Sequence, residues 1–232
     1  MTKARLPIAI AILIAVFSVA PALGQDCTVL DVLPGEHIVL QASPNQPANY
    51  TYNWVEGGSW TFTENSNPVQ RSGGIIDTPT LTFDAPTATG NYGLTLYVTS
   101  KSAGTCTDTE CYTIHVVDAG CPTYGTYCIT DIPLPTWSWT GIRHTSYNYA
   151  WTVNGASVGS NSYQYTPTAW ATPFNVPTDS APIKTSTLVL TITQTPTGHT
   201  TPITLITCTA PNAVTLVFKP DAAITSNVAV SP

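Results

Sequence analysis

The sequence contains an internal repeat, and this repeat limits the folds open to the chain. The segment YTYNW at 50–54 returns as YNYAW at 147–151, and TLYVT at 95–99 returns as VLTIT at 189–193. The offset between the copies, about one hundred residues, is the size of a single small β-sandwich domain. Two tandem copies of one fold therefore account for nearly the whole chain.

A secretory signal peptide is predicted for residues 1–24. Basic Lys3 and Arg5 are followed by an apolar run over 6–20 and by the small-residue pattern at 22–24. The run is about fifteen residues long, shorter than the ~20 needed to cross a bilayer, which favours cleavage over a membrane anchor. We expect a mature chain with no transmembrane segment, located outside the cell or on its surface.

The composition excludes one class of partner. The chain has 7 Lys and Arg against 13 Asp and Glu, a net charge of −6 at pH 7. Nucleic acid is therefore not an expected partner. Only 9% of residues are charged, against about 25% in an average soluble protein. A surface covered by neutral polar side chains suits packing against neighbouring molecules, because few charges must lose their hydration.

Alternating polar and apolar residues predict an all-β fold. The alternation is clear at 36–40, 80–83, 94–98 and 187–192, where β-branched and aromatic residues are frequent. The 20 prolines and 15 glycines of the chain lie largely between such runs, which indicates short strands. Two β-sandwiches in series are the simplest arrangement.

The repeat also sets the expected domain limits. The first sandwich is predicted for 25–118 and the second for 119–220, with the sequence at 118–120 as the hinge. The segment 221–232 has strand-like composition and belongs to neither copy. We expect it to be a frayed terminus or a strand that adds to an exposed sheet edge of another subunit.

Several segments resemble PKD-type immunoglobulin-like repeats of archaeal and bacterial cell-surface proteins. In the first copy the resemblance lies in TGNYGLTLYVTS at 89–100, in the Tyr-Asn-Trp strand at 52–54 and in CYTIHVV at 111–117. In the second copy it lies in the Trp strand and turn at 151–155. The resemblance implies an immunoglobulin-like sandwich in each copy, with Trp54 and Trp151 in the cores. It also implies a spacer, adhesion module or lattice subunit rather than a catalyst.

Disulfides are predicted for all the cysteines, because an even number in a secreted chain favours pairing. The six residues are Cys27, Cys106, Cys111, Cys121, Cys128 and Cys208. The repeated motif TCT, at 105–107 and 207–209, suggests one equivalent bridge in each domain. The predicted pairs are Cys27 with Cys106, Cys128 with Cys208, and Cys111 with Cys121 across the hinge. A local bridge between Cys106 and Cys111 is the alternative.

The sequence shows no catalytic motif and no metal-binding motif. The four histidines, His37, His115, His144 and His199, are far apart along the chain, and no nucleophile elbow, HExxH or phosphate loop accompanies them. His115 alternates with apolar residues and is predicted to face solvent. We therefore expect no enzyme, no cofactor and no metal site.

Two features suggest contact with glycans. Asn49 begins the only glycosylation sequon of the chain. Trp137, Trp139 and Trp170 lie in an aromatic-rich part of the second copy and could stack on sugar rings. Packing in a core is the competing explanation for these tryptophans.

The main functional hypothesis is a non-enzymatic extracellular structural protein. It would be a subunit of a filament, sheath or surface layer that self-associates into a polymer or lattice. The second hypothesis is a secreted carbohydrate-binding or adhesive module.

Overall fold

The computed structural model describes residues 27–64, 67–69, 75–102, 106–197, 199–209 and 213–218. These residues form strands and loops only, so the all-β prediction is confirmed. No helix in these ranges is long and apolar enough to cross a membrane. The predicted signal peptide and the predicted C-terminal strand lie outside the described residues.

The described residues of the N-terminal domain form eight strands. They are β1 (Thr28–Val32), β2 (His37–Gln41), β3 (Tyr50–Gly57), β4 (Thr63–Glu64), β5 (Asn67–Pro68), β6 (Thr80–Asp84), β7 (Gly90–Ser100) and β8 (Thr107–Val116). One sheet has the order β1-β8-β7-β3 and the other β2-β6-β4-β5. This division of strands between two sheets is the arrangement of an immunoglobulin-like sandwich.

In the part of the C-terminal domain that the structure describes there are also eight strands. They are β9 (Thr126–Cys128), β10 (Trp137–Ser138), β11 (Tyr147–Val153), β12 (Ala156–Ser160), β13 (Gln164–Tyr165), β14 (Ile183–Gln194), β15 (Ile203–Cys208) and β16 (Ala213–Val217). A large sheet has the order β12-β11-β14-β16-β9, with β15 also on β14, and β10 pairs with β13 in a small second layer. Two tandem immunoglobulin-like sandwiches are thus present.

The sequence repeat corresponds to a repeat in strand pairing. In both domains the Tyr-x-Trp strand lies antiparallel to the long central strand, and equivalent positions of the repeat lie opposite each other. The matching pairs are Tyr52 with Val98 and Trp54 with Leu96 in the N-terminal domain, and Tyr149 with Ile192 and Trp151 with Leu190 in the C-terminal domain. A parallel pair, β1 with β8 and β9 with β16, completes each domain.

The two tryptophans of the repeat lie in the two cores. Trp54 is 0% exposed and Trp151 is 1% exposed. Each indole N–H donates a hydrogen bond to a backbone carbonyl, that of Thr78 for Trp54 and that of Ser162 for Trp151. Burying an indole removes a large apolar area from water, and because its N–H is hydrogen-bonded, no unsatisfied donor is buried with it. The expected role of both residues is confirmed.

The segment predicted as a hinge is held against the C-terminal domain. The carbonyl of Gly120 accepts hydrogen bonds from the backbone N–H and the hydroxyl of Thr140. A Cβ at Gly120 would lie 2.0 Å from the backbone nitrogen of Gly141, so only glycine fits there. Val117 and Ala119 pack on the C-terminal core.

Candidate functional site

The structure contains two disulfides, and both correct the predicted pairings. Cys27 is bonded to Cys111, and Cys121 is bonded to Cys208. The predicted pairs Cys27–Cys106, Cys128–Cys208 and Cys111–Cys121 are therefore wrong, and so is the local Cys106–Cys111 alternative. Cys106 is an exposed free thiol and Cys128 a half-buried one.

Strand register explains the error in the cysteine pairing. Leu96 and Leu190 are equivalent positions of the repeat, and they lie opposite Glu110 and Cys208 respectively. The counterpart of Cys208 is thus next to Cys111, not at Cys106. The two TCT motifs match in sequence only, because Cys106 precedes β8 whereas Cys208 is the last residue of β15. One long-range bridge per domain, as predicted, is nevertheless what the structure has.

The candidate site lies where the two domains meet, and a tight turn between β1 and β2 builds its first part. Pro34 and Gly35 occupy the central positions of this turn, with Gly35 at φ 71° and the N–H of Glu36 donating to the carbonyl of Leu33. This is the pattern of a type II turn, which favours Pro followed by Gly. The turn delivers Leu33, 0% exposed, into the hydrophobic core of the C-terminal domain.

Glu36 is a buried carboxylate that connects the domains. It is 4% exposed. Its oxygens accept hydrogen bonds from Tyr147 Oη at 2.5 Å, from His144 Nδ1 at 2.8 Å and from the backbone N–H of Leu33 at 2.9 Å. Burial, and then the hydrogen bond to Glu36, raise the pKa of Tyr147 above its usual value. Tyr147 therefore stays a neutral donor to the carboxylate.

A second contact between the domains is made by Gln194, at the end of β14. Its side-chain amide accepts from the backbone N–H of His37 at 2.8 Å and donates to the carbonyl of His37 at 3.1 Å. Both residues are about 6% exposed. The pair of bonds satisfies both backbone groups of His37 in the way that a neighbouring strand would.

Beside this contact, three potential metal ligands from both domains come together. His37 from β2, Glu64 from β4 and His199 from the β14–β15 loop each offer a ligand atom, and these atoms lie within 4.8 Å of one another. The His37 and His199 ring centroids are 5.2 Å apart. The expectation of no metal site relied on the separation of the histidines in sequence, and the fold removes that separation.

Asp84 fixes the orientation of the His37 ring. The Nδ1–H of His37 donates to Asp84 Oδ1 at 2.9 Å. The two residues lie opposite each other in the β2–β6 pair. With Nδ1 holding the proton, Nε2 carries the lone pair that could bind an ion.

The other two histidines are each paired with a carboxylate. His115 donates from Nδ1 to Asp31 at 2.7 Å, and these residues lie opposite each other in the β1–β8 pair. The side chain of His115 is 43% exposed, as its alternation predicted. His144 belongs to the junction through Glu36.

The tryptophans suggested for sugar stacking are largely enclosed. Trp137 is 3% exposed and Trp139 is 2% exposed, so a sugar cannot reach their faces. Their indole N–H groups donate to Tyr127 and to the carbonyl of Ile142. Trp170 is half-buried and packs edge-on against Phe174. Core packing, the competing explanation, accounts for Trp137 and Trp139.

Three aromatic groups in this domain are buried without a hydrogen-bond partner among the described residues. They are the hydroxyls of Tyr124 and Tyr149 and the indole N–H of Trp170. Burial raises the pKa of Tyr124 to about 12 and raises those of Tyr149 and Tyr165 as well. This part of the C-terminal core is apolar enough to disfavour phenolates.

Asn49 lies on the surface, where the sequon requires it. Its side chain is exposed and donates to Gln46 Oε1 at 3.0 Å. Modification of Asn49 stays a prediction.

Sequence reasoning did not find the junction, because its partners are far apart along the chain. Glu36 meets Tyr147 across 111 residues, and His37 meets Gln194 across 157. The available signal was an acidic residue and a histidine directly after a Pro-Gly turn and before the apolar run at 38–40.

Comparison with solved structures finds tandem immunoglobulin domains. A chimeric titin Z1Z2–Z1Z2 tandem functionalised with an exogenous GRGDS peptide from fibronectin is 11% identical, with 84% of this chain and 97% of that chain covered and a TM-score of 0.27. Sidekick-1 immunoglobulin domains 1–4 are 16% identical, with 82% of this chain and 49% of that chain covered and a TM-score of 0.26.

No family model and no curated protein sequence matches the chain. The immunoglobulin-like assignment rests on the strand order and the buried tryptophans of this molecule. The resemblance to PKD-type repeats stays a prediction.

Proposed function

We propose that this protein is a non-enzymatic structural protein of the cell exterior, and that its two domains act as one rigid building block of a filament, sheath or surface layer. The observation that carries the proposal is the domain junction. A buried carboxylate with three donors, a two-bond amide contact and an inserted leucine connect the domains.

Such a junction is unusual for domains that serve only as a flexible spacer. Relative motion is the default for two domains of one chain, unless the interface between them is large and hydrophobic. Moving the domains apart would expose Leu33 and leave the Glu36 carboxylate without two of its donors, which is costly for a group that stays poorly hydrated. A fixed angle between domains is what a repeating lattice requires of its subunit.

The composition and the disulfides fit a location outside the cell. The two disulfides, which join cysteines 84 and 87 residues apart, are typical of proteins in an oxidising compartment. With 9% charged residues, a contact between subunits buries few ions. The predicted signal peptide and the PKD-type resemblance point in the same direction.

The proposed joint between subunits is the addition of the 221–232 segment to an open sheet edge. In the described part of the C-terminal domain, β12 is the last strand of its sheet on one side. Its sequence, ASVGS, carries no charge, and charged residues are the usual protection of a strand edge. Strand addition between successive subunits produces an open polymer when the rotation does not close.

Negative-stain microscopy of material released from cells tests the proposal. We expect ordered polymers from the intact chain and dispersed monomers from a chain that lacks 221–232, with the same melting temperature for both. Polymers that persist without 221–232 would rule out this segment as the joint. Dispersed intact protein would contradict the structural role altogether.

A point substitution with a matched control tests the edge itself. Ser157→Lys places a charge on the exposed edge strand β12 and should block assembly. Thr187→Lys places the same charge on β14, which is not an edge strand. The backbone N–H and carbonyl of Thr187 are already hydrogen-bonded to Asn154, and Thr187 lies opposite Ala213. We expect Thr187→Lys to assemble normally. If both variants lose assembly to the same extent, β12 is not the edge that joins the subunits.

A further inference from the structure

We propose that His37, Glu64 and His199 form a binding site for one divalent transition-metal ion of the Zn²⁺ type, and that this ion fastens the junction between the two domains. The ligand set is two imidazoles and one carboxylate. Imidazole nitrogen selects first-row metals such as Zn²⁺ over Ca²⁺ and Mg²⁺, which prefer oxygen ligands alone.

The distances are close to those of a bound state. Zn²⁺ binds imidazole nitrogen at about 2.0–2.1 Å and carboxylate oxygen at about 2.0–2.2 Å, so ligand atoms of a tetrahedral site lie about 3.4 Å apart. Here they lie within 4.8 Å of one another. Glu64 and His199 are only half-buried, so rotation of their side chains can supply the remaining movement. Water would take the fourth position.

The surroundings of His37 are those of a prepared ligand. Its Nδ1–H is bonded to Asp84, which is the carboxylate–histidine–metal arrangement that orients the ring and raises its basicity. Its backbone is held on both sides by Gln194. Nδ1 of His37 is thus hydrogen-bonded to Asp84, and Nε2 is left to bind an ion together with Glu64 and His199.

The location gives the ion a structural effect. Glu64 and His37 lie on neighbouring parts of one sheet of the N-terminal domain, while His199 lies in a loop of the C-terminal domain. An ion held by all three would link the domains directly. Because it would bind the closed junction and not separated domains, it should stabilise that junction, and the stabilisation should grow with the logarithm of the free ion concentration once this exceeds Kd.

Zinc titration of the purified protein by isothermal calorimetry tests the site, with Cys106 and Cys128 first blocked by iodoacetamide so that thiols cannot bind the metal. We expect saturable binding of one Zn²⁺ per chain and a melting temperature that rises with free Zn²⁺. Substituting Co²⁺ should give the visible absorption of a tetrahedral nitrogen and oxygen site.

Variants identify the ligands. His199→Ala and Glu64→Gln change half-buried side chains and should each weaken binding at least tenfold and abolish the rise in melting temperature. Asp84→Asn should weaken Zn²⁺ binding ~10–100-fold, because Asp84 orients the His37 ring. His115→Gln, which removes an exposed histidine paired with Asp31 elsewhere, is the matched control and should bind normally.

The proposal would be overturned if the wild-type protein showed no saturable binding, if His199→Ala left binding unchanged, or if His115→Gln lost as much binding as the ligand variants. Binding that disappears when the thiols are blocked would also overturn it, because the metal would then be held by cysteine.

Discussion

At the scale of single residues, Glu36 decides how the domains meet. A buried carboxylate is unfavourable unless its oxygens are fully bonded. Glu36 has donors from its own turn and from Tyr147 and His144 of the other domain. Its burial therefore depends on the junction being closed.

Tyr147→Phe tests this dependence. The substitution removes the 2.5 Å hydrogen bond to a buried carboxylate while keeping the ring. We expect the free energy of unfolding to fall by about 2 kcal/mol, the usual contribution of a hydrogen bond to a charged group. Urea denaturation followed by far-UV circular dichroism measures it.

Tyr92→Phe is the control for this prediction. Its hydroxyl also donates a hydrogen bond, at 2.8 Å to the carbonyl of Ala88, but in an exposed setting. A change within about 0.5 kcal/mol is expected. If both variants lose the same stability, the Glu36 contact has no special role at the junction.

The free thiols give a second residue-scale prediction. The native protein should react with iodoacetamide first at Cys106, which is exposed, and more slowly at Cys128, which is half-buried. Its mass should be four hydrogens below that of the fully reduced chain, because two disulfides are present. Mass spectrometry of the intact and digested protein measures both. Labelling of Cys27 or Cys208 in native material would contradict the observed pairing.

At the scale of elements, the hairpin between β11 and β12 shows how a turn fixes a strand. Asn154 and Gly155 have φ of 49° and 81°, the left-handed pair that a type I′ turn requires. The side-chain oxygen of Asn154 accepts from the N–H of Thr187 at 2.9 Å, and its Nδ2 donates to the carbonyl of Pro173 at 2.7 Å. The turn is thus bonded to β14 as well as to its own strands.

Gly155→Ala should destabilise the protein by about 1 kcal/mol, the cost of a left-handed conformation for a residue with a side chain. No atom lies within 4 Å of the added Cβ, so backbone strain is the whole effect. Thermal unfolding measures it. Gly125→Ala, where the Cβ makes ordinary contact and φ is not left-handed, is the control. A Gly155→Ala protein that melts like the Gly125→Ala protein would contradict the I′ assignment.

At the scale of the whole molecule, buried and half-buried tyrosines set the response to alkaline pH. Burial raises the pKa of Tyr124 to about 12 and also raises the pKa values of Tyr112, Tyr147, Tyr149 and Tyr165. In the unfolded chain these groups ionise near pH 10. Above that pH the unfolded state loses protons that the folded state keeps, which favours unfolding.

The free energy of unfolding should therefore be independent of these tyrosines below pH ~10 and fall as the pH rises from ~10 to ~12. Urea denaturation at several pH values measures the trend, and return to neutral pH should restore stability. Phenolate absorbance should appear together with unfolding for the buried rings. Stability that stays constant through this range would show that the rings are accessible in the folded state.

The amino-acid sequence by itself determined the class of fold. Alternation and the internal repeat correctly predicted two β-sandwiches, because these signals depend on residues close together along the chain. The resemblance to immunoglobulin-like repeats correctly implied that Trp54 and Trp151 lie in the cores. Alternation along the strand likewise predicted that the His115 side chain is exposed to solvent. Such features need no knowledge of distant contacts.

Only the tertiary structure decided the disulfide partners and the residues of the junction. Cys208 was matched to Cys106 by its neighbours in sequence, but the strand register places the equivalent of Cys208 at Glu110, next to Cys111. His37 meets Gln194 and His199 only when the β14–β15 end of one domain packs on the β2 strand of the other. Contacts between residues so far apart in sequence are fixed by the packing of whole domains, and no local pattern in the chain encodes them.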